Sequence, residues 1–407
     1  MKTDASVPAR GQARDIALIS LIGFFGIFST TMSKSPVLPL FVKSLSGSET
    51  IVGLIAAVSP FTGILFSFPV GMLADTWGKK RLLVIAGFVF LLAPLLYFVV
   101  TSAYWLIPIR FFHGIATAII GPVASAFIVS AYPQSKGEKL GLYSSATLVG
   151  RTLAPLLGGA IISAFFFLSG TGMYRAVYAG AFVLAVPVFV MILTLKPDDP
   201  ARARAGTLGK PGTLADFGRS LADFMRNRRL LATSLVEMAT YFAYGVIETY
   251  LPILLSGLSV PAYQIGLLFS LQILSIALTK PLFGKLADRV DRRIQIAAGI
   301  VVTGAAVAVI PLSTSIVVIA ALAVLFGLGV SISTVATSTY VAEVAREEKL
   351  GASLGALSSI MDVGHSSGPL VAGAIITATT AAGGFLAAAG VCVIVTLVFL
   401  TMVFWRR

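Results

Sequence analysis

The chain has 407 residues, 57% hydrophobic and 12% charged, with a formal net charge of +13. A mean hydropathy of +0.95 and a charged share about half that of a water-soluble domain exclude an ordinary soluble domain and make lipid the solvent for most of the chain. A single cysteine, Cys392, excludes an intramolecular disulfide framework.

Apolar runs of about twenty residues read as membrane-spanning helices. Twelve follow in order: 16–41, 50–74, 82–101, 104–131, 139–168, 173–195, 230–255, 263–287, 294–312, 314–342, 350–378 and 382–404. Lys2, Arg10 and Arg14 precede the first run as they would a signal peptide. That run is too long, contains Lys34 and lacks a small-residue cleavage site, so it is expected as a retained helix. The second span ends at Lys79, Lys80 and Arg81, the fourth at Lys136 and Lys139, the eighth at Lys285, Arg289, Arg292 and Arg293, and the tenth at Arg346 and Lys349. The opposite loops hold only Lys43 and Arg175. This asymmetry predicts a multi-pass protein of the cytoplasmic (inner) membrane with both termini in the cytoplasm. It also explains the basic balance without nucleic acid.

One motif occurs twice. GMLADTWGKKRLL at 71–83 returns 213 residues later as GKLADRVDRRIQI at 284–296. At the same offset Pro39 matches Pro252, Gly53 matches Gly266 and Gly114 matches Gly327. At an offset of 214, GRTLAPLLGGAII (150–162) lies over GHSSGPLVAGAII (364–376). Matches spread over so many spans predict a duplicated six-helix unit. The expected domains are 1–195, a cytoplasmic linker 196–229, and 230–407. Within the linker, Thr213 and Asp216 resemble a capping box, and Leu214, Phe217, Leu221, Phe224 and Met225 form an apolar stripe. These predict an amphipathic helix on the membrane surface, with a solvated linker as the alternative.

Together these features resemble the major facilitator superfamily of transporters. The 71–83 segment matches the family's signature between spans 2 and 3 through Gly71, Leu73, Asp75, Gly78, Lys79 and Lys80; in the second copy Asp291 stands where glycine is usual. RFFHGIATA (110–118) resembles the span-4 signature through Arg110 and Gly114. The 150–159 segment resembles the span-5 antiporter signature, with Ala154 in place of one glycine, while Gly364, Gly368, Pro369 and Gly373 give span 11 a fuller version. The chain is thus similar to the drug:proton antiporter branch. The resemblance implies an all-α membrane protein, its twelve transmembrane helices in two pseudo-symmetric six-helix bundles. It also implies that Asp75 locks the two halves together at the cytoplasmic side and that Arg110 takes part in proton coupling. Gly71, Asp75, Gly78, Lys79, Lys80, Gly284, Asp288 and Arg292 are the expected gating residues. Gly150, Pro155, Gly159, Gly364, Gly368, Pro369 and Gly373 are expected to bend and closely pack helices. A static role in helix ends and kinks is the alternative for both sets.

An ionisable side chain inside a span is costly unless it faces a cavity or a partner. Glu237, Tyr241, Tyr244 and Glu248 fall at i, i+4, i+7 and i+11, on one face of span 7. Carboxylates with aromatic rings between them suit an amphiphilic, cationic ligand. Glu248 aligns with Ser35, next to Lys34, so facing spans 1 and 7 would pair Lys34 with Glu248 across the halves; protonating Glu248 would break that pair. Asp362 and His365, three residues apart, are expected to touch as a proton relay or a packing pair. His113 is expected as a hydrogen-bonded packing residue. The candidates for proton coupling are Glu248, Asp362, His365, Arg110 and Glu237. Those for substrate binding are Lys34, Tyr241, Tyr244, Glu248 and Gln272. Lys34, Arg110 and Arg151 offset Glu237, Glu248 and Asp362, which keeps an anionic substrate in play.

No phosphate-binding loop, nucleophile elbow or convincing metal-ligand cluster occurs. The chain is expected to be no enzyme, to use no cofactor, and to work as a monomer with a small-molecule substrate, protons and lipid as its partners. The favoured function is proton-coupled export of small amphiphilic molecules by alternating access. Uptake or exchange of an anionic metabolite, and a non-transporting receptor, are the alternatives.

Overall fold

The computed structural model describes residues 9–168, 170–195, 218–219, 222, 224–345 and 350–404, without the side chains of 9–12, 67–68, 71–72, 75–76 and 350–352. The described chain is helical. In order it forms α1 (Ala9–Lys34), α2 (Val37–Ser44), α3 (Glu49–Thr76), α4 (Lys79–Leu96), α5 (Leu106–Ala131), α6 (Lys136–Ala164) and α7 (Gly172–Thr194). After the linker come α8 (Arg228–Gly257), α9 (Ala262–Ala287), α10 (Arg292–Val309), α11 (Ile316–Val344), α12 (Leu350–Ala378) and α13 (Ala381–Val403).

The twelve expected spans are present, with one correction. The first is two helices, α1 and α2, that run on through Ser35 and Pro36 as one apolar stretch from 13 to 44. Pro36 brings no backbone N–H to continue α1 and disfavours helix in the residue before it. Among the described residues, eleven helical stretches are long and apolar enough to cross a membrane. The exception, α12, has the length at 29 residues, but Ser358, Ser359, Asp362, His365, Ser366 and Ser367 dilute its hydropathy.

Local chemistry sets the helix ends. Asn227 accepts from the amides of Arg229 and Leu230 at the start of α8, and Ser48 and Thr380 cap α3 and α13. Gly78, with φ at +90°, turns the chain from α3 into α4, a conformation that costs glycine little. The second copy of the motif solves the same corner differently. There Asp291 accepts from the amide of Arg293 at 2.9 Å and caps α10. The departure from glycine at 291 thus substitutes a side-chain cap for a left-handed turn.

The repeat extends to features invisible as identities. Ser46 and Ser259, 213 residues apart, both sit at φ +60° in the turns before α3 and α9. The 3₁₀ turns Tyr97–Val99 and Ile310–Leu312, at the same spacing, end the third and ninth spans.

Two long helix pairs join the sequence halves: α3 lies along α12, and α6 along α9. A methyl group on Gly53 would collide with the carbonyl oxygen of Pro369, and one on Gly266 with that of Pro155. These are the glycines and prolines that the repeat had matched, now exchanged across the halves. Hydrogen bonds follow the same rule. The amide of Thr50 donates to Thr377 Oγ1 at 3.2 Å, and its counterpart Tyr263 donates to Ser163 Oγ at 3.1 Å. Both seams close the end opposite Lys79, Lys80, Lys285 and Arg292. Tyr250 adds a contact with no counterpart, because the matching residue is Val37. Its hydroxyl lies 2.9 Å from the carbonyl oxygens of both Glu49 and Pro369.

The linker residues Thr213, Leu214, Asp216, Phe217 and Leu221 lie outside the described residues. Phe224 is described, and it packs on Leu230, Val341, Ala356 and Leu357 of its own chain, while Met225 of the same stripe is exposed.

Candidate functional site

Midway along the first span, at the end of α1, Lys34 points toward the second half. Its Nζ lies 2.7 Å from Glu248 Oε2 on α8. His365 Nε2 on α12 reaches the same oxygen at 2.8 Å and stands 3.5 Å from Lys34 Nζ. While Glu248 is ionised it only accepts, so Nε2 carries the imidazole proton. Three helices and both halves therefore converge on one carboxylate oxygen. The side chains of Lys34, Glu248 and His365 keep 23%, 14% and 16% of their surface exposed, so water reaches this node. The interhalf pair expected from the alignment of Glu248 with Ser35 is made.

The expected Asp362–His365 contact is not made; the structure pairs His365 with Glu248 instead. Residues three apart diverge around a helix by about a sixth of a turn, and here the packing partners differ. His365 faces α8, whereas Asp362 faces α3, where a methyl on Gly63 would stand 3.3 Å from its Oδ2. Tyr241 and Tyr244 flank the node. Their rings are 5.8 Å apart and lie 6.1 Å and 5.6 Å from the His365 ring, and Tyr244 also meets Phe326.

Two candidates sit elsewhere. Glu237 shares the helix face of the tyrosines in sequence, yet it is buried and accepts from Thr337 Oγ1 of α11 at 2.5 Å. Gln272 is 1% exposed, and its Oε1 has no hydrogen-bond partner. It is embedded in protein in this arrangement of the helices. Arg151 on α6 is exposed, and Arg110 on α5 is buried. His113 is buried with neither ring nitrogen bonded, which corrects its expected role as a satisfied packing residue.

The gating set divides. The side chains at Gly71 and Asp75 lie outside the described residues. Lys79 is buried. Lys80 Nζ donates to the carbonyl oxygens of Leu193 and Leu195 at the end of α7, as a cation at a helix C-terminus should. In the second copy Arg292 pairs with Glu343 of α11 and lies 4.0 Å from Asp288, while Gly284 has open space where its side chain would be. Among the bending set, α6 and α12 continue through Pro155 and Pro369 as single helices. Their glycines serve contact: Gly150 approaches Phe24, Gly364 approaches Met238, Gly368 approaches Phe242, Gly159 approaches Ala262 and Gly373 approaches Glu49.

Tyr250, Thr377 and Ser163 were not anticipated. Thr377 and Ser163 carried a signal, hydroxyls at matching repeat positions near the end of the antiporter-like segment. Tyr250 carried none.

A family model described as Major Facilitator Superfamily matches residues 19–262 and 233–407. The chain is 24% identical over 332 residues to an uncharacterized MFS-type transporter of Methanocaldococcus jannaschii, covering 81% of this chain and 83% of that one. A 168-residue stretch is 34% identical to the multi-drug resistance efflux pump PmrA of Streptococcus pneumoniae, covering 38% of this chain and 42% of the pump. The fold superposes on the crystal structure of the nucleoside transporter NupG with a TM-score of 0.81 at 14% identity, covering 96% of this chain and 99% of that one.

Proposed function

The chain belongs to the Major Facilitator Superfamily, and on that premise we propose that this secondary transporter couples proton entry to the export of small amphiphilic molecules. The observation that carries the reading is the meeting of Lys34, Glu248 and His365 on one carboxylate oxygen. Ionised, Glu248 ties α1 to α8 and α12. A proton on Glu248 removes the charge that attracts Lys34 and releases the tie. Proton binding thereby biases the arrangement of the two halves, which is the differential interaction that a coupled conformational change needs.

In this reading residues 1–195 and 230–407 form two units that rock about the node, with the linker 196–229 between them and both termini in the cytoplasm. The closed seams then lie on the outer side, and the node is reached from the cytoplasm. Tyr241 and Tyr244 supply aromatic faces for an amphiphilic substrate, Asp362 is a second proton site, and Asp75 locks the cytoplasmic side when that side closes. The similarity to PmrA, named as a multi-drug resistance efflux pump, supports export over import.

Proteoliposomes under an imposed pH gradient test this. Addition of a cationic dye should drive proton movement in the wild type, and Glu248→Gln should bind dye without accumulating it. Accumulation by Glu248→Gln at the wild-type level overturns the coupling role. A second reading, uptake or exchange of an anionic metabolite, is favoured by the exposed cation Arg151 and by Lys34 at the node, with Glu237 turned away to Thr337. Gradient-driven movement of an anionic dye in the absence of cationic-dye movement selects it.

A further inference from the structure

Outside the node lies a second cluster of buried polar groups, around Arg110, which the family resemblance had linked to proton coupling. Tyr97 follows α4, Arg110 lies on the second turn of α5, and His113 is one turn further along. The three are 0%, 3% and 2% exposed. Arg110 Nε and both ring nitrogens of His113 lack hydrogen-bond partners among the described residues, while the Tyr97 hydroxyl lies against the Arg110 guanidinium. They are neighbours: the Tyr97 and His113 rings are 6.4 Å apart, and Arg110 interacts electrostatically with both. Aromatic rings wall the cluster. Tyr178 stacks on Tyr97 at 4.0 Å, and Phe90 meets His113 edge-on at 6.0 Å.

Arginine has only donors, whereas a tyrosine hydroxyl and a neutral imidazole each donate once and also accept, so the cluster holds more donors than acceptors and its one fixed charge is positive. Among the described residues, no carboxylate in the neighbouring spans answers them. Glu248 is held by Lys34 and His365, Glu237 by Thr337, and Asp362 faces Gly63. A guanidinium buried without counter-charge is costly, and buried donors without acceptors add to that cost. We propose that Tyr97, Arg110 and His113 form a binding site for a small monovalent anion, of halide or short carboxylate size, inside the first half of the chain. The site shares no ion pair with the Glu248 node, although the charge of Arg110 is felt by Lys34 there.

Thermal unfolding of the purified full-length protein in detergent tests this at constant ionic strength, with sodium gluconate, too bulky to enter, replaced stepwise by sodium chloride, bromide or formate. The melting temperature should rise with chloride, bromide or formate beyond its value in gluconate, as binding to the folded state requires. A response to the halides identifies an inorganic ion as the occupant, and a response to formate alone identifies a carboxylate. Arg110→Gln should abolish the response and Tyr97→Phe should weaken it. Equal melting temperatures in all four salts, or a full response retained in Arg110→Gln, overturn the proposal. If Arg110→Gln does not fold, Tyr97→Phe and His113→Asn carry the test, and an undiminished response in both overturns it equally.

Discussion

Lys34 and Glu248, separated by 214 positions in sequence, meet at 2.7 Å across the two halves of the chain. His365 holds the same Oε2 from a third helix at 2.8 Å. The carboxylate is therefore shared, and the effect of losing one partner depends on which one is lost.

Glu248→Gln keeps the shape but removes the charge that both partners seek. Gradient-driven accumulation should fall by about tenfold to a hundredfold, the span of a coupling free energy of roughly 1–3 kcal/mol. Equilibrium binding of a tested dye should change far less. Flux and binding measured on one preparation check the two halves of this expectation.

Lys34→Met leaves Glu248 with His365 alone. Removing one member of a fully buried pair costs about 3–5 kcal/mol. Here His365 remains and both side chains keep contact with water, so a loss of about 1–3 kcal/mol is expected. The double variant Lys34→Met/Glu248→Gln should recover part of it. A melting-temperature cycle over the four proteins measures the coupling.

The closed seams can be trapped. Thr50 Oγ1 and Thr377 Oγ1 are 2.8 Å apart, a placement compatible with a disulfide. Thr50→Cys/Thr377→Cys, with Cys392→Ser, should cross-link on oxidation and stop transport, and reduction should restore it. Transport that continues in the fully cross-linked protein would contradict rocking of the halves at this end.

Gly53→Val should lower that cross-linking. Its side chain would strike the carbonyl oxygen of Pro369, and overpacking of this kind costs about 1–3 kcal/mol. Gly26→Ala, whose methyl has Phe90 no nearer than 3.8 Å, is the control and should cross-link normally.

Asp291 gives a pH dependence at the membrane surface. Hydrogen bonds from the Arg293 side chain hold its pKa below the usual 3.8. A lowered value favours the ionised form in the folded chain, so this contribution is present above the ordinary value and is lost as pH falls through the lowered one. The wild type should lose slightly more stability than Asp291→Asn as pH falls from about 5 to below 3.8, and parallel melting curves check this. About a third of the side chain stays exposed, at 33%, so solvent screening keeps the difference small.

The spans and the duplication were legible because twenty apolar residues, and glycines at fixed offsets, leave a one-dimensional trace. The Lys34–Glu248 pair was legible for the same reason, since the repeat aligned their surroundings. The partner of His365 was not. Spacing along α12 offered Asp362, but which way each residue points is decided by the helices packed on either side. The surroundings of Gln272 were not legible either: a polar residue in a span suggests a cavity, and in this arrangement it is enclosed by protein. The break at Pro36 was written in the sequence, and the length of the apolar run masked it.

The crossed contacts of Gly53 with Pro369 and of Gly266 with Pro155 imply that this end is fastened at two equivalent points, only one of which has Tyr250. Opening then need not be simultaneous. The α6–α9 side has the fewer hydrogen-bonded ties, so in the proposed rocking motion it would part first with the α3–α12 side as a hinge, and two related modules would give a motion with a handedness that neither has alone.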